Sequence, residues 1–417
     1  MSRKDPRPPG RGSAVLRRRA QPACDGSFVE PEVTVRADDS SEVSRPARHR
    51  VRRRWLDQLV TAAKDAWPVL AAYAAIRIVS TLLVAGYLWG IDKGIGRGLT
   101  RYDGIWYSRI AENGYGEGLD QHLAFFPLYP SVVRVVDVIV PDVRIAALLV
   151  AWTGSMAAAW GLYAIGKLLR DRATGVMLVL VWAVLPNAIL QAMAYTEGIF
   201  TALAAWTLYA LLKRNWLVAG ALCAVAGLSR PTAVALIAVV GVAALIAVFR
   251  RQDGWRPWVA GAIAPLGWLG YIGFVAVRGD SVTAWFDVQR RWGSSFDGGA
   301  NTWRVFWSSM GERIYPQFYI VTLILLIAIC LFVLSILDRQ PWPLIMYSAM
   351  MLFLTLGGGG FYHSKARFLM PAFALLLPIA IGLVKTRPAR AYVILGFLGV
   401  ISVWYSTYLQ VGGQLSF

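Results

Sequence analysis

Between Arg101 and Tyr115 the chain reads RYDGIWYSRIAENGY, and AFFPLYP follows at Ala124 to Pro130. An acid, two arginines and a tryptophan directly after a long apolar run mark a surface that handles something polar. Asp103 is the first residue to suspect of chemistry. A lone carboxylate can serve as a general base that takes the proton of an attacking hydroxyl. It can equally cap the helix that starts there, because a carboxylate satisfies free backbone N–H groups; the two roles are compatible. Tyr102, Trp106 and Ile110 recur at every fourth position and predict one apolar stripe, as on a helix lying in a membrane interface. Glu112 is expected to pair with Arg109 or another surface base. Pro127 and Pro130 predict a rigid, non-helical lead into SVVRVVDVIV, since proline fixes φ and removes a donor. Phe125, Phe126 and Tyr129 either line a groove for a lipid chain or are ordinary interfacial aromatics.

Three further groups could do chemistry. Tyr195 and Glu197 stand at the start of an apolar run, where Glu197 either begins a helix or binds a sugar hydroxyl. Arg230 follows LVAGALCAVAGL, so short a run that its turn does not reach bulk water: 14 residues to Arg230 rise only about 21 Å against a bilayer core of about 30 Å. A submerged arginine needs an anionic partner. A phosphate fits the guanidinium fork, and an internal acid such as Glu197 is the alternative. The glycines Gly357 to Gly360 interrupt another run and allow a ligand to approach the backbone closely. His363, Lys365 and Arg367 come directly after and suit an anion, or snorkel from a flexible hairpin. No GKS or GKT follows the glycines, so they are not a P-loop.

The elements that must position these residues are helices in lipid. Of the 417 residues 57% are hydrophobic and 16% charged, against about 45–50% and about 25% in soluble domains. The excess lies in continuous runs long enough to cross a bilayer, and they do not alternate as barrel strands do. Helices satisfy their own backbone in lipid. The expected fold is an all-α polytopic membrane protein of about eleven transmembrane helices with external juxtamembrane helices. The spans are placed near 67–91, 144–166, 173–193, 196–212, 216–230, 231–249, 257–277, 318–337, 341–360, 367–384 and 391–411. Residues 1–66 read as a disordered basic cytoplasmic tail and 67–417 as the transmembrane domain. No cleavable signal peptide is expected, because the apolar stretch starts too late. Arg48 to Trp55 form a charge block that stops before the membrane or binds anionic lipid.

The net charge of +18 sits in the tail and beside the runs. That placement points to topology and lipid headgroups and excludes nucleic acid as a partner. Cys24, Cys223 and Cys330 show no CxxC spacing, and His49, His122 and His363 are dispersed, so neither a metal site nor a cofactor is expected. A cytoplasmic tail places Lys167/Arg170/Arg172, Lys213/Arg214, Arg250/Arg251 and Lys385/Arg387/Arg390 inside, as the positive-inside rule requires. The long loops 92–143 and 278–317 then lie outside. Asp103, Tyr195, Glu197, Arg230 and the His363/Lys365/Arg367 cluster all fall on that external face. Groups so costly near lipid, about 2.5–3.5 kcal/mol each at a helix centre, face a cavity and mark a function. Loop 278–317 is aromatic-rich and is expected to roof the site, with Asp287 and Asp297 as reserve candidates for a base.

The blocks RYDGIWYSRIAENGY, AFFPLYP, AYTEGIF, AGLSRPTA, WFDVQRRWG and ARFLMP, in that order over residues 67–384, resemble the phosphatidylinositol-glycan class V mannosyltransferases and their actinobacterial relatives. These belong to the glycosyltransferase C superfold. The resemblance implies an integral membrane glycosyltransferase, with a polyprenyl-phosphate-sugar donor, usually mannose, and a lipid or glycan acceptor. It places a catalytic acid in the first external loop, at Asp103, and no cofactor is called for. In that reading the donor phosphate meets Arg230, His363, Lys365 and Arg367. Tyr102, Trp106, Tyr195, Glu197, Phe126 and Tyr129 contact substrate among the membrane lipids. One acid and a good leaving group suit a single inverting step. Ser294 departs from the pattern, standing where bacterial relatives would carry a base. The same architecture could take arabinose or glucose. A lipid-linked-sugar flippase is the alternative from another class, but it would show repeats and midplane charges, where here the charges gather at one face.

Overall fold

A computed structural model describes residues 47–91, 98–312 and 314–411, with the backbone alone at 47–56, 58 and 59. Contacts divide the chain into Met1–Asp57 and Gln58–Phe417; apart from the first residues of α1, everything described below lies in the second unit. Residues 1–46, with Cys24, lie outside the described residues, as do the side chains of the Arg48 to Trp55 cluster.

In chain order, α1 (Ala47–Gly90) is followed by the short helices α2 (Asp103–Asn113) and α3 (Leu128–Asp137). Next come α4 (Val143–Leu169), α5 (Arg172–Ala183), α6 (Glu197–Leu212), α7 (Trp216–Gly227) and α8 (Val234–Phe249). Helices α9 (Arg256–Ile263) and α10 (Leu266–Arg278) form one apolar rod. The second long loop holds α11 (Ala284–Arg291), β1 (Ser295–Phe296) and α12 (Ala300–Gly311). Then follow α13 (Pro316–Leu337), α14 (Trp342–Gly357), β2 (Gly358–Gly359), α15 (Lys365–Phe368), α16 (Leu377–Lys385) and α17 (Pro388–Val411).

The protein is a multi-pass membrane protein of the expected all-α kind, and every expected span finds a helix. Helix α1 starts at Ala47, well before the boundary placed at residue 67. Ala, Arg and Leu after Pro46 are strong helix formers, and they carry the helix back into a segment that has no apolar period. Six helical stretches are long and apolar enough to cross a membrane. Four others, α5, α6, α7 and α14, have only 12 to 16 residues, about 18–24 Å. After α5 the run stays largely apolar, from Val184 to Ala194, where the backbone has left the helix. A seventh pair, Tyr362–Phe368 and Phe373–Lys385, bends by 75° at a break that holds Pro371, which has no N–H to carry the helix on.

Broken backbone inside a membrane is tolerated only where protein surrounds it. Beyond α5 the irregular segment 185–196 is almost wholly buried, and side chains take up its free groups. Arg77 of α1, itself 2% exposed, donates Nη1 to Ala188 O at 2.6 Å and Nη2 to Ala183 O, the end of α5. Tyr73 donates to Gln191 Oε1 at 2.9 Å, and Gln191 Nε2 donates to Trp182 O at 2.8 Å. An intramembrane arginine with no acid beside it among the described residues thus serves as a helix cap.

The glycine run meets the second loop. β2 pairs antiparallel with β1, Ser295 opposite Gly359 and Phe296 opposite Gly358. A Cβ on Gly357 would lie 2.5 Å from the Phe296 ring, and one on Gly360, at φ +74°, would lie 2.0 Å from Gly293 O. This two-stranded ladder is the only sheet among the described residues, and it ties loop 278–317 to the end of α14.

Candidate active site

Helix α2 begins at Asp103, one residue after Tyr102, whose φ of +54° lies in the region L residues rarely adopt. Such strain persists only where the surroundings impose it. Gly104 allows the turn to approach Ala194, where a Cβ would stand 3.3 Å from that residue's carbonyl oxygen. Gly104, Tyr107, Ser108 and Ala111 form the buried face of α2, spaced as one side of a helix. The carboxylate is not a cap of the expected kind: no side chain caps this helix. Its charge still lies in the first turn, where the helix dipole favours it. Asp103 Oδ2 accepts from Arg367 Nη1 at 2.7 Å. Its Oδ1 has no hydrogen-bond partner among the described residues.

Arg367 joins a larger network. Its Nε faces Glu197 Oε1 at 3.4 Å, and Arg230 Nη1 lies 2.6 Å from the same oxygen. Glu197 is 1% exposed and begins α6; Arg230 is the buried residue before Pro231. The guanidiniums also face rings: Arg367 lies 5.3 Å from the Tyr195 centroid and 5.1 Å from Phe368, and Arg230 lies 5.9 Å from Phe368. Arg230 is buried in the protein, and the anionic partner it was expected to need is Glu197. Two acids and two bases cancel in charge.

Lys365 differs. It is 2% exposed, and its Nζ donates to Thr355 O and Gly358 O at 2.6 Å each. An ammonium has three donors, and no carboxylate lies within ion-pair distance of this one among the described residues.

These groups border one cavity of about 920 Å³. Asp103, Arg230, Arg290, Lys365 and Arg367 supply its charged wall, with Tyr102, Trp106 and Tyr107 beside them and Gly358, Gly359 and Gly360 as exposed backbone. Asp103 is the only carboxylate on that wall. Phe125, Phe126, Trp268, Trp285, Phe286, Trp292 and Phe361 provide aromatic surface. Trp106 meets Trp292 edge-on at 5.1 Å, and Phe126 meets Trp285 at 5.9 Å, so α2, the AFFPLYP block and α11 share one wall. Burial first, and the Asp103 carboxylate second, raise the pKa of the Tyr107 hydroxyl and keep it protonated.

Other expected members lie elsewhere. Tyr129 is fully buried and donates to Ala147 O at 2.7 Å, packing α3 on α4. Tyr195 and Glu197 sit behind the arginines and do not border the cavity. His363 also stands outside the wall, its ring parallel to Phe318 at 6.5 Å. Asp297 accepts from the backbone N–H of Gly299 and Asn301 at the start of α12, and Asp287 pairs with Arg290. Arg109 lies over the Trp106 ring at 5.6 Å and forms no ion pair with Glu112. The AFFPLYP block is less rigidly non-helical than expected. Pro127 leads into α3, and Pro130 falls in its first turn, where a missing N–H costs nothing. Trp268 and Phe368 were missed. Phe368 directly follows Arg367, but adjacency alone does not show that its ring lies beneath both arginines.

No protein-family model matches the sequence, and no curated protein matches it. Among solved structures the chain is similar to ArnT from Cupriavidus metallidurans, bound to undecaprenyl phosphate, with a TM-score of 0.51 and 13% identity over 80% of this chain and 62% of that one. It also aligns with the Archaeoglobus fulgidus oligosaccharyltransferase in its apo form, with a TM-score of 0.46 and 10% identity over 81% of this chain and 55% of that one. The chain spans less than two thirds of the length of either. At such identity the likeness shows the fold alone: an all-α polytopic membrane fold of the glycosyltransferase C type.

Proposed function

We propose that the protein transfers a sugar, with mannose as the first choice, from a polyprenyl-phosphate-sugar donor to a hydroxyl of a lipid or glycan acceptor at the external membrane face. One observation carries this reading: a cavity walled by aromatic rings holds a single carboxylate, Asp103, and a buried ammonium, Lys365, that holds backbone carbonyls and has no acid within ion-pair distance among the described residues. The acceptor oxygen attacks the anomeric carbon as its proton passes to Asp103 Oδ1, and the bond from that carbon to the phosphate oxygen breaks. Polyprenyl phosphate leaves with the electron pair. A double-displacement route needs a second carboxylate about 5–5.5 Å away; the wall offers none, so one inverting step is favoured.

Charge supports the donor class. Each arginine of the wall faces an acid, and Lys365 feels Asp297 only from beyond ion-pair distance; that ammonium is the cation best placed to meet the monoanion of a phosphodiester. On departure the phosphate gains charge, and a fixed ammonium in a dry site stabilises what develops. The ArnT structure, to which the chain is similar in fold, holds undecaprenyl phosphate, in keeping with a polyprenyl carrier here.

The test uses purified protein, polyprenyl phosphates carrying radiolabelled mannose, glucose or arabinose, and a membrane lipid extract. Wild type is expected to form a labelled lipid or glycan. Asp103→Asn is expected to lose about 10²–10⁴-fold in turnover while still binding donor. Near-normal turnover in that variant removes Asp103 from the mechanism, and label that crosses the bilayer without a new bond replaces transfer by transport.

A further inference from the structure

We propose that Glu197 is a positioning residue for this reaction: it touches neither the cavity nor the reacting groups and acts on Asp103 through Arg367. The inference rests on the reading of Asp103 as the base. A guanidinium is a planar fork, so fixing one edge decides where the other points. Arg367 presents Nε to Glu197 at 3.4 Å, an ion-pair contact without a hydrogen bond, and Nη1 to Asp103 at 2.7 Å. The Tyr195 and Phe368 rings lie 5.3 and 5.1 Å from its centre and hold the plane. The grip on Asp103 is therefore confined to Oδ2, and Oδ1 stays available for the acceptor proton.

Glu197 is well built for this work. It stands in the first turn of α6, where the helix dipole favours its charge. Arg230 holds the same Oε1 at 2.6 Å. Gly198, the next residue, presses against α4 so closely that a Cβ there would lie 2.3 Å from Ser155 Oγ and 2.8 Å from Ser155 N. The carboxylate is thus fixed from its own backbone outward. Without its charge, two buried guanidiniums would share one acid. Arg367 would then turn both terminal nitrogens onto Asp103 in the bidentate manner arginine prefers, and Oδ1 would be occupied.

The experiment compares Glu197→Gln and Glu197→Asp with wild type in the transfer assay with labelled polyprenyl-phosphate sugars. Glu197→Gln is expected to lower kcat about 100-fold, the cost of a catalytic group misplaced by about 1 Å, with KM for the donor changed less than about threefold. Glu197→Asp, which keeps the charge, is expected to recover at least about a tenfold share of that loss. A merely structural residue would raise KM together with lowering kcat, or respond equally to both substitutions. If Glu197→Gln does not fold, the charge-balanced Glu197→Gln/Arg230→Met variant takes its place, and kcat is expected to stay low in it. Wild-type kcat in Glu197→Gln or in the double variant, or equal losses in Glu197→Gln and Glu197→Asp, overturns the proposal. Wild type that transfers none of the three sugars removes the underlying reaction instead, so the two failures are distinct.

Discussion

Four side chains with an equal claim on a phosphate in the sequence separate once their contacts are known. Arg230 and Arg367 are occupied by carboxylates, His363 lies against Phe318, and Lys365 alone holds only carbonyls. The sequence brought Lys365 and Arg367 together but could not rank them, because Arg367 and its partner Asp103 are 264 residues apart. Internal pairing of Arg230 was foreseeable from burial, since a short run before a submerged arginine demands an anion. Which anion depended on the packing of α6. It follows that Lys365→Met should weaken binding of bare polyprenyl phosphate about 10- to 100-fold, since a hydrogen bond to a charged group contributes about 1.5–3 kcal/mol and about 1.4 kcal/mol is tenfold. Lys365→Arg should fall between, its fork being the wrong shape for two carbonyls set for an ammonium. Titration of the detergent-solubilised protein with polyprenyl phosphate reads both; unchanged affinity in Lys365→Met moves the anion site elsewhere.

At the scale of elements, the glycines show why local reading reached so far and no farther. The run Gly357–Gly360 signalled a close approach of backbone to something. That part was legible, because only glycine permits it. The partner was not: β1 is two residues long, has no alternating pattern and sits in a loop read as an aromatic roof. The ladder between β1 and β2 leaves Gly358–Gly360 on the cavity wall while fixing the second loop above it. Gly198 does the corresponding work for the first wall. Helices α4 and α6 make the most extensive helix pair among the described residues, and Gly198 sits in their contact, where a Cβ would lie 2.8 Å from Ser155 N. Gly198→Ala therefore inserts a methyl into backbone, and overpacking of that kind costs about 1–3 kcal/mol. Thermal unfolding in detergent should show that loss. Transfer should fall more than stability accounts for, because the displaced helix start carries Glu197. A variant that unfolds like wild type and transfers like wild type would show that the α4–α6 contact has slack.

At the scale of the whole molecule, a site built from α2, the α6 start, the Arg230 turn and α15 requires four distant hairpins to end on one side of the membrane. That convergence was legible in the sequence, since span parity and the placement of Lys and Arg predict a common side for these loops. Span length was not. Runs such as 173–193 are apolar throughout, and hydropathy does not record where Arg77 and Gln191 let the backbone leave the helix. The short helices matter for the site: α7 and α14 stop early, and the turns after them bring Arg230 and Gly358–Gly360 to the cavity wall. The orientation itself is testable. With Cys24 and Cys330 replaced by alanine and buried Cys223 retained, Glu117→Cys in the first long loop should react with a membrane-impermeant maleimide in intact cells. Lys213→Cys, exposed at the opposite ends of α6 and α7, should react only after permeabilisation. The reverse pattern would put Asp103 on the cytoplasmic side, where a donor presented outside could not meet it.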